Sequence, residues 1–585
     1  MNDAAYNFFE EPSSPLQKQY EAMRAYFYER KPAHEVAEKF GYSVSSLYCF
    51  SSAFKKQLKE KLLERRFFAA PTVGRPIKKQ ESKVDKLIIG LRKKYISVSE
   101  IKSILDTQVQ GIPETYIYKL IKQEGFARLP RRNKATKINT MSQAKINAPM
   151  ASLLEKSKEF FNTSNTGILC FIPYIIETGV YKAIIESQFP ETKTIPKINA
   201  ILSFLALKMS NVKRYTSDDL WCMDRGCGLF AGLNVLPKAA WFSSYSHRVT
   251  RDMNVNFLRE LHKIWQKQGL LSDTVNLDFV AVPYWGDDSH LENNWSGTRH
   301  QALSSVLAAI AQDPDSGIIT YGDSTIRHDN ESNVVVEFLD FYKESSRESK
   351  NQNLKYLVFD SKFTTYENLS KLDNNGVKFL TIRRRGKSIV DELNVLPLTS
   401  WKKTRVKAAG NKTRELKFID QNIFLKGYNK KIRQVAITGT GRIKPALIIT
   451  NDFDLSVEEI IRKYAKRWLV EKCISEQTHF FHLNKISSSM VIKVDFDLTM
   501  SILAHNLYRL FADGLTGYEH NTANTLYEKF INNSGSVEIK NDNILVQMKK
   551  KRNLPELLMT MKGFEGTKVP WLHEQTITIS AASNT

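Results

Sequence analysis

The chain has 585 residues, 42% of them hydrophobic, which suits several domains with cores of their own and excludes wholesale disorder. Its net charge of +23 favours a polyanionic partner, and five scattered cysteines make no disulfide scaffold, so a reducing, cytoplasmic setting fits. No apolar run reaches the roughly 20 residues of a membrane span, and MNDAAYNFFEE lacks the character of a signal peptide.

The positive charge is uneven. Residues 1–140 carry 27 Lys and Arg against 15 Asp and Glu, a net +12; the other 445 carry 58 against 47, a net +11. KPAHEVAEKFGYSVSSLYCFSSAFKKQL reads as helix, turn at Gly41, helix. Val36, Ala37 and Phe40 make one apolar face; Val44, Leu47 and Tyr48 begin the next, with Ser43 as N-cap. This is the form of a helix-turn-helix whose second helix turns Ser45 and Ser46 toward bases in a major groove, and equally the form of an ordinary α-hairpin. APTVGRPIKKQ then breaks the helical pattern. Its Arg75, followed by Lys78 and Lys79, suits the negative potential of a narrow minor groove; a plain solvated linker has the same composition. Residues 83–133 repeat the helical theme and leave through the basic pair Arg131 and Arg132.

The expected organisation is multi-domain α+β. It comprises a helix-turn-helix unit (1–68), a basic linker (69–82), a second such unit (83–133) and a helical connector or dimerisation region (134–260). Within the connector, Asp218, Asp219 and Asp224 read as caps or surface groups. Cys222 and Cys227 have the wrong spacing for a zinc knuckle. From 270 the hydrophobic period changes. VNLDFVAVPYW, SSVLAAIAQ and GIITYGDS read as strands, NVVVEFLDFYKES as a helix and LKYLVFD as a strand. YENLSKLDNNG is a helix ending at Gly376, and VKFLTIRRRG a further strand. Three strands, helix, strand, helix, strand is the order of an RNase H-like core (261–383). Short β-like runs follow, RELKFID, NIFLKGY, RQVAITGT and PALIITN, as a β-rich insertion (384–450). The core resumes as helices over 451–515, and residues 516–585 say little.

Three carboxylates stand out: Asp278 in the first core strand, Asp360 ending the fourth, and Glu471 in the helical run SVEEIIRKYAKRWLVEKCISEQTHFFHL. A charged group in an apolar strand is costly unless it is paired or holds a metal. Asp278 and Asp360 would lie side by side with Glu471 packed across them, a set suited to two Mg²⁺ or Mn²⁺ ions acting on phosphodiesters. Asp287, Asp288 and Asp323 compete with Asp278 as the first ligand. Tyr464, Arg467 and Glu471, spaced i, i+3, i+7, fall on one helix face.

At these residues the chain resembles the DDE insertion-sequence transposases, in the group whose third carboxylate lies in a Tyr-x2-Arg-x3-Glu-x6-Lys signature and whose core carries a β insertion. YAKRWLVE, VFDSKFTTY and LDFVAV carry the resemblance, over roughly residues 166–515. It implies catalytic and metal-binding roles for Asp278, Asp360 and Glu471, and DNA contacts for Tyr464 and Arg467. It also implies binding to the inverted repeats of the element, metal-dependent cleavage, transfer of the freed 3′-hydroxyl to target DNA, and a homodimer or larger assembly on double-stranded DNA. The expected place of action is the cytoplasm, on the nucleoid when DNA is bound. The signature departs at its last position, where Thr478 stands for lysine; His479, His482 and Lys485 are nearby substitutes. Trp401 is the tryptophan of the insertion, where some relatives hold a flipped base; a core or surface aromatic is the plainer reading. A non-mobile nuclease and a regulator derived from a transposase are the alternatives.

Overall fold

The computed structural model describes residues 15–59, 112–123, 126 and 158–583, apart from 213–219, 284–290, 297–299, 347–353, 364, 385, 408–412, 441–444, 484–490 and 541. It also describes residues 84, 85, 88, 89, 92, 98, 101, 102 and 105. The chain divides into two units, Met1–Ser82 and Lys83–Thr585.

The first unit holds helices α1 (Pro15–Phe27), α2 (Ala33–Lys39) and α3 (Val44–Lys59). Ala22, Met23, Val36, Ala37, Phe40 and Leu47 make its core. Gly41 takes φ +61 in the turn, a conformation open to glycine, and Ser43 Oγ accepts from the Ser46 N–H at 3.1 Å, as an N-cap does. The expected apolar face of α3 is narrower than its sequence reads. Leu47 is fully buried, whereas Val44 is 40% and Tyr48 53% exposed. In the second unit, α4 (Glu114–Gln123) buries Ile117, Leu120 and Ile121 against Ile88, Ile101 and Leu105.

A helical layer follows: α5 (Ile172–Glu177), α6 (Val180–Glu186), α7 (Lys197–Met209), α8 (Arg225–Phe230), α9 (Ala239–Ser246) and α10 (Arg251–Lys267). Asp224 caps α8, its side chain accepting from the Cys227 N–H at 3.0 Å. Residues 134–260 are not helical throughout. Strand β1 (Glu159–Thr163) pairs antiparallel with β12 (Gly535–Lys540), which lies beyond the core in sequence. With β13 (Asn543–Met548), β14 (Lys568–Val569) and β15 (Gln575–Ala581) they form a five-stranded sheet in the order β1-β12-β13-β15-β14. A Cβ at Gly535 would collide with the Gln547 carbonyl, which accounts for glycine at this close strand approach.

The other sheet has ten strands. Its first part is β2 (Thr274–Pro283), β3 (Asn293–Ser296), β4 (Gln301–Gln312), β5 (Ile319–Ile326), β6 (Tyr356–Phe359) and β7 (Lys378–Ile382), with α11 (Val334–Ser346) after β5 and α12 (Tyr366–Asn374) after β6. Strands β2, β4 and β5 pair antiparallel in the order β5-β4-β2, and β6 and β7 continue parallel to β2. The strand and helix order is as expected, with β3 added; Gly376 follows α12 at φ +74. Segment 384–450 differs in detail. It opens with helix α13 (Lys387–Val395), then β8 (Lys402–Lys407), β9 (Thr413–Leu425), β10 (Tyr428–Thr438) and β11 (Ala446–Thr450). RELKFID and the first four residues of NIFLKGY form a single strand, β9, because alternation runs on through Asp420 and Gln421, while Lys426 and Gly427 make the turn and Tyr428 opens β10. β11 pairs antiparallel with β7, Ile448 opposite Ile382, so these strands extend the core sheet in the order β7-β11-β10-β9-β8.

The helical run carrying Glu471 is two helices, α14 (Val457–Ala465) and α15 (Trp468–His479). Between them the backbone tightens to i→i+3 bonds, Arg467 N–H to Tyr464 O at 3.1 Å and Val470 N–H to Arg467 O at 3.0 Å. The Lys466 carbonyl accepts the Leu469 N–H at 3.0 Å and, in addition, the Asn276 side-chain amide of β2 at 3.1 Å. Ser456 and Glu459 form a reciprocal capping box on α14. Ser456→Ala is expected to cost about 1 kcal/mol of stability, read as a lower denaturant midpoint in the full chain.

Helix α16 (Val491–Asp513), which looks amphipathic in sequence, is buried on all sides. Its buried polar residues find partners within the fold. Asp495 accepts from Arg251 (2.7 Å), Asn254 (2.8 Å) and Ser324 (3.1 Å). Asn506 bonds both backbone groups of Ile319. His505 pairs with Glu476 at 3.2 Å. Burial alone would lower the His505 pKa, but Cys473 and Glu476 outweigh it and push it up to about 10. Among the described residues no single helix is long and apolar enough to cross a membrane. Short helix α17 (Ala523–Leu526) and α18 (Leu554–Lys562) complete the chain.

Candidate active site

Strands β2 and β6 run parallel in a register that pairs Thr274 with Tyr356 and ends on Leu277 opposite Phe359. The next residue on each strand is Asp278 or Asp360, so the register brings the two carboxylates abreast at the carboxyl ends of their pairing. Three fully buried residues of β6, Leu357, Val358 and Phe359, anchor Asp360, and Leu277 does the same for Asp278. Beyond Asp360 the chain turns through Ser361–Phe363. The Phe363 ring stacks on Phe279 with centroids 3.7 Å apart and planes 2° from parallel, pinning this turn against β2.

Glu471 comes from α15, whose Val470, Cys473 and Gln477 are buried in the core. Arg467 joins it to the sheet. One guanidinium nitrogen donates to Asp278 Oδ2 at 2.6 Å and the other to Glu471 Oε1 at 2.6 Å. The Arg467 guanidinium carbon lies 5.8 Å from the centre of the Tyr464 ring. Tyr464 precedes the helix break, yet the αR conformation of Lys466 and Arg467 keeps the expected side of the run facing the site.

Burial raises the Asp278 pKa to about 6, against the opposing pull of Arg467 and the Phe279 N–H, with Glu471 and Asp360 adding to the rise. Burial would lower Arg467, but Asp278, Tyr464, Glu471 and Asp360 raise it above its ordinary value. Burial pushes the Tyr464 hydroxyl up to about 12. The five side chains therefore share one electrostatic environment, in which the Arg467 guanidinium sits among three carboxylates.

Three carboxylates are a hard oxygen set of the kind Mg²⁺ prefers. As placed, no three His, Cys, Asp or Glu side chains among the described residues stand close enough to hold a metal ion. The guanidinium of Arg467 fills the space where Asp278 and Glu471 would share one. The residue types fit a divalent cation once Arg467 withdraws.

The other sequence candidates fall as follows. Asp323 on β5 is buried, pairs with Arg251 at 3.2 Å and accepts from Tyr321 and Thr325, so it is held in the structural network around Asp495. Asp287, Asp288, Arg75, Lys78, Lys79, Arg131, Arg132 and Lys485 lie outside the described residues. Thr478 Oγ1 donates back to the Ile474 and Ser475 carbonyls. His482 bonds Asn211 at 2.6 Å, while His479 stays exposed on α15. Trp401 is half-buried against the cluster of Leu393, Ala436 and Leu447. Ser45 is exposed and Ser46 bonds Ser43. Asn276 and the Phe279–Phe363 stack had no signature in the sequence; both are ordinary residue types whose effect depends on segments far apart in the chain.

Residues 287–507 match the family of the transposase DDE domain, a span that takes in Asp360 and Glu471 and begins after Asp278. Among solved structures, a piggyBac transposase synaptic complex with hairpin DNA is similar at 12% identity and a TM-score of 0.29, over 58% of this chain and 75% of that one. No curated protein matches the chain significantly. With the family match over residues 287–507, the chain is recognised as a carrier of a DDE-type transposase domain.

Proposed function

We propose that the protein is a DNA transposase that binds the terminal inverted repeats of its own element, cleaves the strand ends with divalent metal ions and joins the freed 3′-hydroxyl to target DNA. The observation that carries this reading is the β2–β6 register, which sets Asp278 beside Asp360, with Glu471 tied to Asp278 through Arg467. The order β5-β4-β2-β6-β7, antiparallel then parallel, supports an RNase H-like core. The α2–turn–α3 arrangement with its N-capped second helix supports a helix-turn-helix in the basic N-terminal region.

Asp278, Asp360 and Glu471 would hold one or two Mg²⁺ or Mn²⁺ ions. Such ions polarise phosphoryl oxygens and generate a strong oxygen nucleophile at neutral pH. The sheet keeps two of the carboxylates at fixed separation, and the Phe279–Phe363 stack resists displacement of the turn after Asp360. Arg467, released from Asp278 and Glu471, is placed to pair with a phosphate, where a guanidinium binds in bidentate fashion. Tyr464 supports it from behind. Two copies of the chain would bring the two element ends together on DNA.

A strand-transfer assay tests this. Pre-cleaved element ends carrying a free 3′-hydroxyl, incubated with Mg²⁺ and a target plasmid, are expected to be joined to the plasmid. Cleavage without joining would leave a nuclease, and sequence-selective binding with neither step would leave a regulator. Deleting residues 1–133 is expected to remove the preference for element ends over unrelated DNA in a competition binding assay. Retained preference would place recognition elsewhere.

A further inference from the structure

Beside Asp360 lies a cleft of about 420 Å³ that the reading above leaves without a role. It opens at the carboxyl ends of β6 and β7, the place where open α/β sheets receive ligands. The turn Ser361–Lys362 and the first turn of α12, with its capping residue Thr365, form one wall; Thr381 and Arg384 of the β7 end form the floor; Lys426, at the β9–β10 turn, closes the far side. Lys362, Arg384 and Lys426 are exposed, and none forms an ion pair with a described residue. Glu331 and Glu367 also line the cleft, and neither is ion-paired with the three cations. Three cations against two carboxylates, with the first turn of α12 among the lining, leave the cleft net positive.

Thr381 gives a second, independent indication. It is 1% exposed, it lines the cleft, and its Oγ1 has no hydrogen-bond partner among the described residues. A buried hydroxyl without a partner costs free energy, and strands seldom keep one that serves nothing. Valine would fill the same space on this strand at no such cost. A buried hydroxyl, three cations without an ion pair among the described residues and a helix N-terminus, all lining one cleft, are the groups that hold a phosphodiester.

We propose that this cleft binds the sugar-phosphate backbone of the DNA strand just beyond the reacting phosphodiester, with Thr381 bonding a phosphate oxygen and Lys362, Arg384 and Lys426 neutralising successive phosphates along the strand. The proposal rests on the protein acting on DNA, and extends the DNA-facing surface from the carboxylates across α12 to the β9–β10 turn.

The test is binding of a fluorescein-labelled, mixed-sequence DNA duplex to the full chain across a salt series. The unsubstituted chain sets the slope of log affinity against log salt. In a Lys362→Ala/Arg384→Gln/Lys426→Ala variant that slope is expected to become shallower by roughly two to three, at about 0.9 for each phosphate no longer neutralised. Thr381→Val changes no charge. It is expected to weaken binding roughly ten- to a hundredfold on the native background, as loss of a hydrogen bond to a charged group does, and to have no further effect in the triple variant. Thr381→Ser keeps the hydroxyl and should bind as the unsubstituted chain does, which separates loss of the phosphate bond from loss of the fold. An unchanged slope in the triple variant overturns the cleft. So does a Thr381→Val effect that persists undiminished in it, or no Thr381→Val effect at all. If the unsubstituted chain binds and cleaves DNA while the cleft variants bind equally well, the cleft alone falls. If the unsubstituted chain binds no DNA, the proposed function falls with it.

Discussion

Asp278→Asn, Asp360→Asn and Glu471→Gln are each expected to lower Mg²⁺-dependent DNA cleavage by about a thousandfold or more, with DNA affinity in EDTA essentially unchanged. Metal-assisted charge stabilisation is worth several kcal/mol in phosphoryl chemistry, and each ~1.4 kcal/mol is a factor of ten in rate. The substitutions keep shape, so the β2–β6 register and the seat of α15 survive. What disappears is one anionic oxygen ligand. Asp278 and Asp360 ride on adjacent strands and have little freedom to compensate for one another. Glu471 is the most exposed of the three, its side chain 56% open, and it reaches the site from a helix. Glu471→Asp, which keeps the charge and shortens the reach, should therefore fail nearly as badly as Glu471→Gln. Normal cleavage by any of the three isosteric variants removes that residue from the site.

Arg467→Gln has a different signature, one that appears before any DNA is added. In the native chain Arg467 is the counter-cation of a nearly buried Asp278, whose side chain is 17% exposed. Removing one partner of a buried pair typically costs about 3–5 kcal/mol, because the other charge stays behind. The full chain in EDTA should lose stability on that scale at pH 8. The pH dependence follows from the sign of the Asp278 shift. Its folded pKa is already raised to about 6, above its ordinary value, and without Arg467 it rises further. The folded state then binds more protons than the unfolded state over that window, so stability falls as pH rises through it and returns on acidification. Mg²⁺ should also stabilise Arg467→Gln more than the native chain, since no guanidinium has to leave first. Melting curves in EDTA and in Mg²⁺, at pH 5 and pH 8, decide the matter. Equal stability of the two proteins in EDTA would mean that Arg467 does not occupy the space between the carboxylates.

The parts of the fold that were legible in the sequence were those set by local pattern. The apolar run containing Asp278 and the one ending in Asp360 read as strands because such strands are buried on both faces, and Gly376 and Gly41 marked turns that need positive φ. The break between α14 and α15 was illegible. YAKRWLVEK contains no glycine or proline, and the side chain that meets the break, the Asn276 amide on the Lys466 carbonyl, comes from 190 residues earlier. The five-stranded sheet was hidden for a related reason, since β1 meets β12 only after the whole core has been traversed. Helix α16 misled by composition. The run reads as an amphipathic helix, but Asp495, His505 and Asn506 are each matched by a partner on β5, α10 or α15. Within the site, the positions of Asp278 and Asp360 on neighbouring strands and of Glu471 on a helix were readable, whereas the bridge through Arg467 and the cleft over Thr381 depend on side-chain packing that no local pattern encodes.

The join between β7 and β11 has a practical consequence for anyone wishing to cut this protein into parts. Segment 384–450 resembles a cassette in sequence, flanked by the two halves of the core. Excising it along those limits would strip β11 from β7 and leave a row of bare backbone donors and acceptors beside β6 and Asp360, an open edge that invites intermolecular pairing. The extra strands thus serve as the selvedge of the core sheet, and a trimmed version would have to keep β11 or replace it.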